Sequence, residues 1–415
     1  MRFRILLIAT LFSTVPVVAQ NAPPPVSVAH LEGVVETLEV RFPPSPEESG
    51  TEQVRGAAQW AQSFLRAGAS GVQLRFENIS FDADEYFEIE IVDANGANVQ
   101  TLTPEMLAGR TALWTNIGRG QSLGVSVYGN RNGSLSFELK SISFDRRGMV
   151  LESIIGQDQR QHLYEYGGDL LDTVSRVSGA VAKLSMIKNT PNGPKRYVCT
   201  GFLVDDSTLV TNEHCVADQE ACANTKVIFG YEYNRIGQIP GMEQYDCLNV
   251  RTVNVELDTA VLELAGEPGK RWNSLPLADQ PAQDGERLFI IQHPAGEPKQ
   301  ISDSDCTVFE SISPGRQSRS DFAHMCDTLG GSSGSPVFNV SGEVVGLHHW
   351  GRDISGRYSR SNRAVRMELV RTLLSPVQPV PEPPADAGPD TQINIGVDAG
   401  SSPDAGGSVD GTGSN

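Results

Sequence analysis

The chain has 415 residues, a formal net charge of −18, and hydrophobic and charged fractions of 39% and 20%. The length allows two domains or three, and the composition suits a chain with a substantial core. The negative balance excludes nucleic acid as the expected partner, because neutralising phosphates needs a basic face.

In chain order, the first segment has a basic start at Arg2 and Arg4, then a short apolar stretch from Ile5 to Ala19. Val17 and Ala19 fit a small-residue cleavage pattern, so residues 1–19 read as a secretory signal peptide cut near Ala19–Gln20. The stretch is too short for a comfortable membrane span, and no other long apolar run exists, so a protein without a membrane span is expected. Residues 20–51 are rich in Pro, Glu and Ser and read as a flexible lead-in.

The pattern changes over residues 52–150. Gln73-Leu74-Arg75-Phe76-Glu77 and Phe87-Glu88-Ile89-Glu90-Ile91 alternate polar and apolar residues, and Leu123–Tyr128 and Leu135–Ile142 are further strand-like runs. Asn95-Gly96, Gly129-Asn130 and Asn132-Gly133 supply turns between them. Short alternating strands separated by such turns predict a β-sandwich. Residues 165–375 form a second block of short β-rich runs, ending in a helix whose closing segment is expected at Met367–Leu374. Beyond it, residues 376–415 are dominated by Pro, Asp, Ala, Gly and Ser and contain no Lys or Arg. Such a segment cannot bury enough apolar surface to offset its ordering entropy, and is expected to be a disordered, solvated tail.

All six cysteines, Cys199, Cys215, Cys222, Cys247, Cys306 and Cys326, fall in the second block. An even count in an exported chain predicts disulfides, for which the sequence alone allows fifteen pairings. No CxxC pair and no HExxH cluster is present, so no metal site is expected.

Three motifs carry chemistry. Leu209-Val210-Thr211-Asn212-Glu213-His214-Cys215 ends a strand on a histidine beside a cysteine. Glu256-Leu257-Asp258-Thr259-Ala260-Val261-Leu262 places an aspartate at the start of an apolar run. Asp327-Thr328-Leu329-Gly330-Gly331-Ser332-Ser333-Gly334-Ser335-Pro336-Val337 sets serines in a glycine-rich loop ahead of a strand. A serine hydroxyl is a weak nucleophile until an imidazole takes its proton, and a carboxylate fixes the imidazole tautomer and stabilises the imidazolium. Glycines allow backbone N–H groups to converge on an oxyanion, each donor contributing roughly 3–4 kcal/mol.

In this order, His, Asp, Ser, the motifs resemble the trypsin/chymotrypsin-like serine protease family in its bacterial secreted branch. The resemblance covers about half of the chain. It implies an all-β fold: a chymotrypsin-like double β-barrel, here preceded by a β-sandwich domain and followed by the tail. The 52–150 block is similar to sandwich domains that precede the peptidase in some bacterial secreted serine proteases, with Ala112-Leu113-Trp114-Thr115 as its best fragment. The family motif, aligned on Gly331, Gly334 and Pro336, selects Ser333 as nucleophile, with His214 and Asp258 completing the triad and the N–H groups of Gly331 and Ser333 forming the oxyanion hole. The family's cysteine spacing implies a Cys199–Cys215 disulfide clamping the histidine loop; Cys222–Cys247 and Cys306–Cys326 are the remaining expected pairs.

For specificity, Asp327 occupies the position that floors the primary pocket and implies Arg or Lys before the cut, with hydrogen bonding inside the fold as its alternative role. His348-His349-Trp350-Gly351 looks like the substrate-binding strand, in which glutamate-specific relatives use a histidine on the substrate carboxylate. Many animal members carry an Asp just before the nucleophile for zymogen activation; that position here is Ser332. The resulting expectation is a secreted or cell-surface serine endopeptidase, monomeric, acting on proteins or peptides without a cofactor. Two rivals remain. One is an α/β-hydrolase with Ser332 as nucleophile, which needs a helix after Gly334. The other is an inactive protease-like scaffold whose sandwich mediates binding.

Overall fold

The computed structural model describes residues 30–44, 58–145, 152–351 and 361–374. The segments expected to be a signal peptide and a disordered tail lie outside these residues. The described chain is mostly β, and its cores follow the period-two rule by which alternate residues of a strand share a face.

In the N-terminal block, Trp60–Leu65, Ser122–Gly129, Phe87–Asp93 and Asn98–Leu102 form a four-stranded antiparallel sheet in that order. It packs against a second sheet containing Gly71–Ser80 and Ser136–Asp145. Phe87, Ile89 and Ile91 point inward with Leu123, Val125 and Val127, and meet Leu74, Phe76, Phe137 and Leu139 from the facing sheet. Each large side chain so buried contributes roughly 1.5–3 kcal/mol.

The second sheet is completed by His30–Phe42, which lies within the segment expected to be a flexible lead-in. This strand pairs on one side with Ser136–Asp145 of the sandwich and on the other with Lys195–Leu203 of the next block. The physical reason is local: Leu31-Glu32-Gly33-Val34-Val35 and Leu38-Glu39-Val40-Arg41-Phe42 carry strand-forming residues that the flanking Pro/Glu/Ser-rich sequence obscures.

Six strands then close a barrel: Val181–Lys188, Thr225–Phe229, Glu243–Asn254, Thr259–Leu264, Thr208–Thr211 and Lys195–Leu203, in spatial order. The last pairs back onto the first from Val181↔Phe202 to Lys188↔Lys195. In a second barrel the path runs Gln300–Ser302, Leu288–Gln292, Pro336–Asn339, Val344–Trp350, Asn362–Arg366, Asp321–His324 and Val308–Ser313. The segment entering Val308–Ser313 returns to Leu288–Gln292, with Leu288 N donating to Cys306 O (2.8 Å) and Val308 N to Glu286 O (2.9 Å). Phe322, Val337, Val345 and Ala364 are among the residues of its interior. The closing helix spans Met367–Leu374 and begins directly after the strand Asn362–Arg366, so no longer helix precedes it. Three disulfides, Cys199–Cys215, Cys222–Cys247 and Cys306–Cys326, brace the two barrels, and no cysteine is free.

Candidate active site

The strand Thr208–Thr211 delivers the chain into a tight turn in which Cys215 N and Val216 N both donate to Asn212 O. The turn presents His214. It is tied down by the Cys199–Cys215 bond and by Lys188, whose ammonium donates to the His214 carbonyl. Asp258 closes the turn before the strand Thr259–Leu264 with φ +46°, a left-handed conformation that aspartate tolerates better than most residues. That conformation turns its carboxylate inward. Asp258 Oδ2 lies 2.9 Å from His214 Nδ1, Oδ1 accepts the His214 backbone N–H at 3.0 Å, and the Asp258 carbonyl accepts from Asn212 Nδ2 at 2.9 Å. A proton held on Nδ1 makes Nε2 the basic nitrogen of the ring.

Asp258 is fully buried and has two further partners. Arg316 Nη2 lies 2.9 Å from Oδ1, while Arg316 Nη1 reaches Glu213 at 2.7 Å. His349 Nδ1 lies 3.1 Å from Oδ2, and its Nε2 is 2.8 Å from Asp321 Oδ2. Burial pushes the Asp258 carboxyl upward, but His214 and His349 more than offset it and hold it well below the usual carboxylate range. Burial likewise opposes charge on His349, yet Asp321 and Asp258 on either side push it up to about 9. The geometry is a buried chain, Asp321–His349–Asp258–His214, with an arginine on its flank.

Ser333 belongs to the turn between Leu329 and Pro336. Its hydroxyl donates to the His349 carbonyl at 3.3 Å. Of the three serines in the motif, Ser332 and Ser335 are fully buried whereas Ser333 is part-exposed. Ser332 Oγ accepts from Leu329 N, and the chain after Gly334 enters the strand Pro336–Asn339, not a helix. Both facts remove the α/β-hydrolase alternative.

The turn is clamped against the first barrel. Thr200 N donates to Ser333 O (2.8 Å) and Thr200 Oγ1 to Gly331 O (2.9 Å). Gly334 sits at φ +89° with the site of a Cβ 1.9 Å from Thr200 O, so only glycine fits there. Thr200 follows Cys199, so the disulfide that steadies His214 also steadies the strand gripping the Ser333 turn. Among the described residues, the N–H groups of Gly331 and Ser333 have no acceptor.

The residues expected to set specificity are placed as follows. The Asp327 carboxylate is engaged by the segment that precedes the first barrel. It accepts from Ile155 N (2.7 Å) and Gln159 N (3.0 Å), and the residue is 3% exposed. Burial raises its pKa. A carboxylate so engaged takes the second of its two expected roles, hydrogen bonding inside the fold. His349, expected to bind substrate, faces Asp258 instead. Its neighbour His348 points to the other face, with Nδ1 3.1 Å from His324 Nε2, and burial lowers the pKa of both His348 and His324. Trp350 stacks on His349 at 4.4 Å, and Gly351 follows it at the last described position before residue 352. Among the described residues, one grouping has metal-binding residue types, Cys199, His214 and Cys215, but both sulfurs are in a disulfide and are unavailable as thiolates.

Residues 199–347 match the family model described as a trypsin-like peptidase domain. Among curated proteins, the chain is 29% identical over 245 residues to Secreted RxLR effector protein 73 of Plasmopara viticola, covering 54% of this chain and 58% of that protein. It is 27% identical over 218 residues to an uncharacterized protein of Sinorhizobium fredii, covering 49% of this chain and 31% of the relative. The chain thus spans less than two thirds of either relative's length. Similar solved structures include the Rv3671c protease in an inactive form (18% identity, 49% of this chain and 90% of that one, TM-score 0.36). A serine endoprotease from Yersinia pestis is another (16% identity, 51% and 66%, TM-score 0.37). By its family match, this chain carries a trypsin-like peptidase domain.

Proposed function

We propose that the protein is an exported serine endopeptidase. Ser333 attacks the scissile carbonyl as its proton passes to His214 Nε2, and the tetrahedral oxyanion is received by the N–H groups of Gly331 and Ser333. His214 then protonates the leaving amine, and water repeats the sequence on the acyl-enzyme. Asp258 orients the imidazole and stabilises its charged form. No step calls for a cofactor. The observation that supports this reading is that His349 links two half-sites: its ring touches the Asp258 carboxylate and its carbonyl accepts from the Ser333 hydroxyl. The His214–Asp258 pair comes from the first barrel. A part-exposed Ser333, whose own N–H and that of Gly331 are unengaged among the described residues, comes from the second.

Because Asp327 is held by backbone N–H groups, the support for an Arg/Lys preference falls away, and an uncharged or acidic residue before the cut is favoured. Of the two histidines on this strand, His348, whose Nδ1 lies 3.1 Å from His324 Nε2, is the one left to meet such a group. Export is supported by the complete pairing of cysteines, which persists in oxidising compartments. Residues 52–150, joined by the His30–Phe42 strand, serve as an accessory sandwich domain to the peptidase of residues 165–375. The test is cleavage of a peptide library by the folded protein beside its Ser333→Ala variant. Cuts lost with Ser333→Ala, falling after Glu or uncharged residues, support the reading. Well-folded protein that cuts nothing reduces it to a scaffold.

A further inference from the structure

Behind the candidate oxyanion donors lies a second strained turn, residues 293–297. Ala295 has φ +54° and Gly296 φ +72°. A Cβ on Gly331 would stand 2.9 Å from the His293 carbonyl and 3.2 Å from both Ala295 N and Gly296 N, so the two turns are in direct contact. Ala295 N donates to Gly330 O at 2.6 Å. The Gly330 carbonyl and the Gly331 N–H belong to one peptide plane. Fixing the carbonyl on one side therefore fixes the direction of the N–H on the other.

A strained turn persists only where its surroundings hold it. Here the holder is Lys183, on the first strand of the first barrel. Its ammonium donates to Gly296 O at 2.8 Å, lies 4.7 Å over the Tyr231 ring, and is bonded to Glu32. Lys183 is 6% exposed, and a second buried cation, Arg196, stands 3.4 Å from the other Glu32 oxygen. Asp145 of the sandwich adds attraction on Arg196. Glu32 is therefore the carboxylate shared by two buried cations, and breaking such a group strands charge in the interior. It is carried by the His30–Phe42 strand that joins the sandwich to the barrel.

We propose that the N-terminal strand is a positioning element of the peptidase: Glu32, acting through Lys183 and the 293–297 turn, holds the Gly330–Gly331 peptide with its N–H directed at the oxyanion. The inference rests on the reading of Ser333 as nucleophile and of Gly331 as an oxyanion donor. It makes the sandwich-bearing region part of the working enzyme, not a segment to be discarded for activity.

The test uses the full chain carrying Glu32→Gln, Lys183→Met, and the two combined, with kcat and KM measured on one peptide substrate. Affinity for a peptide boronate, which forms a tetrahedral adduct on the serine, is read in parallel. Substrate binding is read separately in a Ser333→Ala background. Glu32→Gln is expected to lower kcat on the order of 10²-fold, as misplacement of a catalytic group by an ångström does, and to leave KM within about two-fold. Boronate affinity should fall with kcat, while substrate binding to the Ser333→Ala protein should not. The combined variant should be no slower than Lys183→Met alone, since both act on one contact. A merely structural role would lower the folded fraction without separating boronate from substrate binding. If Glu32→Gln does not fold, Lys183→Arg, which keeps the charge beside Glu32 but moves the donor from Gly296 O, is expected to show the same kcat loss. Folded variants with wild-type kcat overturn the proposal alone. A wild type that is folded, inactive and unlabelled at Ser333 overturns the function reading and the proposal together.

Discussion

Replacing Asp321 by Asn tests the buried chain behind His214. His349 is enclosed by Asp258 on Nδ1 and Asp321 on Nε2. Asp258 is shared with His214 and Arg316, and Asp321 also accepts from Ser320 Oγ. The nearby imidazoles His324 and His348 are kept neutral by burial and add no countercharge. The His349 pKa lies above its unfolded value, so the protonated ring stabilises the fold fully below about pH 6.5 and loses that contribution as pH rises through about 9. At about 1.4 kcal/mol per pH unit, that contribution is about 3 kcal/mol at pH 6. Asp321→Asn removes one of the two carboxylates responsible, so the variant should be less stable by about 2 kcal/mol at pH 6, with the difference shrinking toward zero near pH 9.5. Urea unfolding across that range, in a Ser333→Ala background to prevent self-digestion, measures it. Turnover of the otherwise wild-type Asp321→Asn enzyme should fall roughly ten-fold with little change in KM, because the carboxylate orienting His214 loses a fixed donor. Parallel stability curves for the two proteins from pH 6 to 9.5 would refute the charged bridge.

Other outcomes follow from single contacts. Replacing Cys199 and Cys215 by Ser opens a loop of sequence separation 16 and should cost about 3 kcal/mol in urea unfolding, with a larger loss of turnover than opening Cys222–Cys247, which does not border His214. Gly334→Ala forces a Cβ against Thr200 O at positive φ and should destabilise by about 3 kcal/mol or more, abolishing turnover in whatever folded protein remains. Asp327→Asn should lower the unfolding midpoint while leaving the ratio of Arg, Lys and Glu cleavage unchanged; a selective ten-fold loss on Arg and Lys would return Asp327 to the pocket.

Much of the architecture was legible because its signals are local. The runs around Leu74–Phe76, Phe87–Ile91, Leu123–Tyr128 and Leu135–Ile142 all sit in strands, since alternation of apolar residues dictates which face is buried. The cysteine pairs read from family spacing and neighbourhood are those formed. Side-chain direction was not legible in the same way. Asp327 occupies a recognisable motif position, but its carboxylate is claimed by Ile155 and Gln159, residues far upstream whose approach no motif encodes. Adjacent residues of a strand face opposite ways, so His348 and His349 could never both line one pocket, and that much was available from the sequence. Which of them meets Asp258, and that Asp321 and Arg316 arrive beside it, depends on the pairing of distant strands. The His30–Phe42 strand was missed for a related reason. Its main partners lie in two separate blocks, and Glu32 becomes intelligible as a core residue only once Lys183 and Arg196 face it.

The central claim is that Ser333, activated by His214, is the nucleophile. Covalent labelling of the folded protein with a fluorophosphonate probe, with the modified peptide mapped by mass spectrometry, tests it most directly. The account predicts modification at Ser333 in the wild type and in Ser332→Ala, none in Ser333→Ala, and labelling slowed by several orders of magnitude in His214→Ala. Labelling at Ser332, or none at all in well-folded wild type, would contradict it.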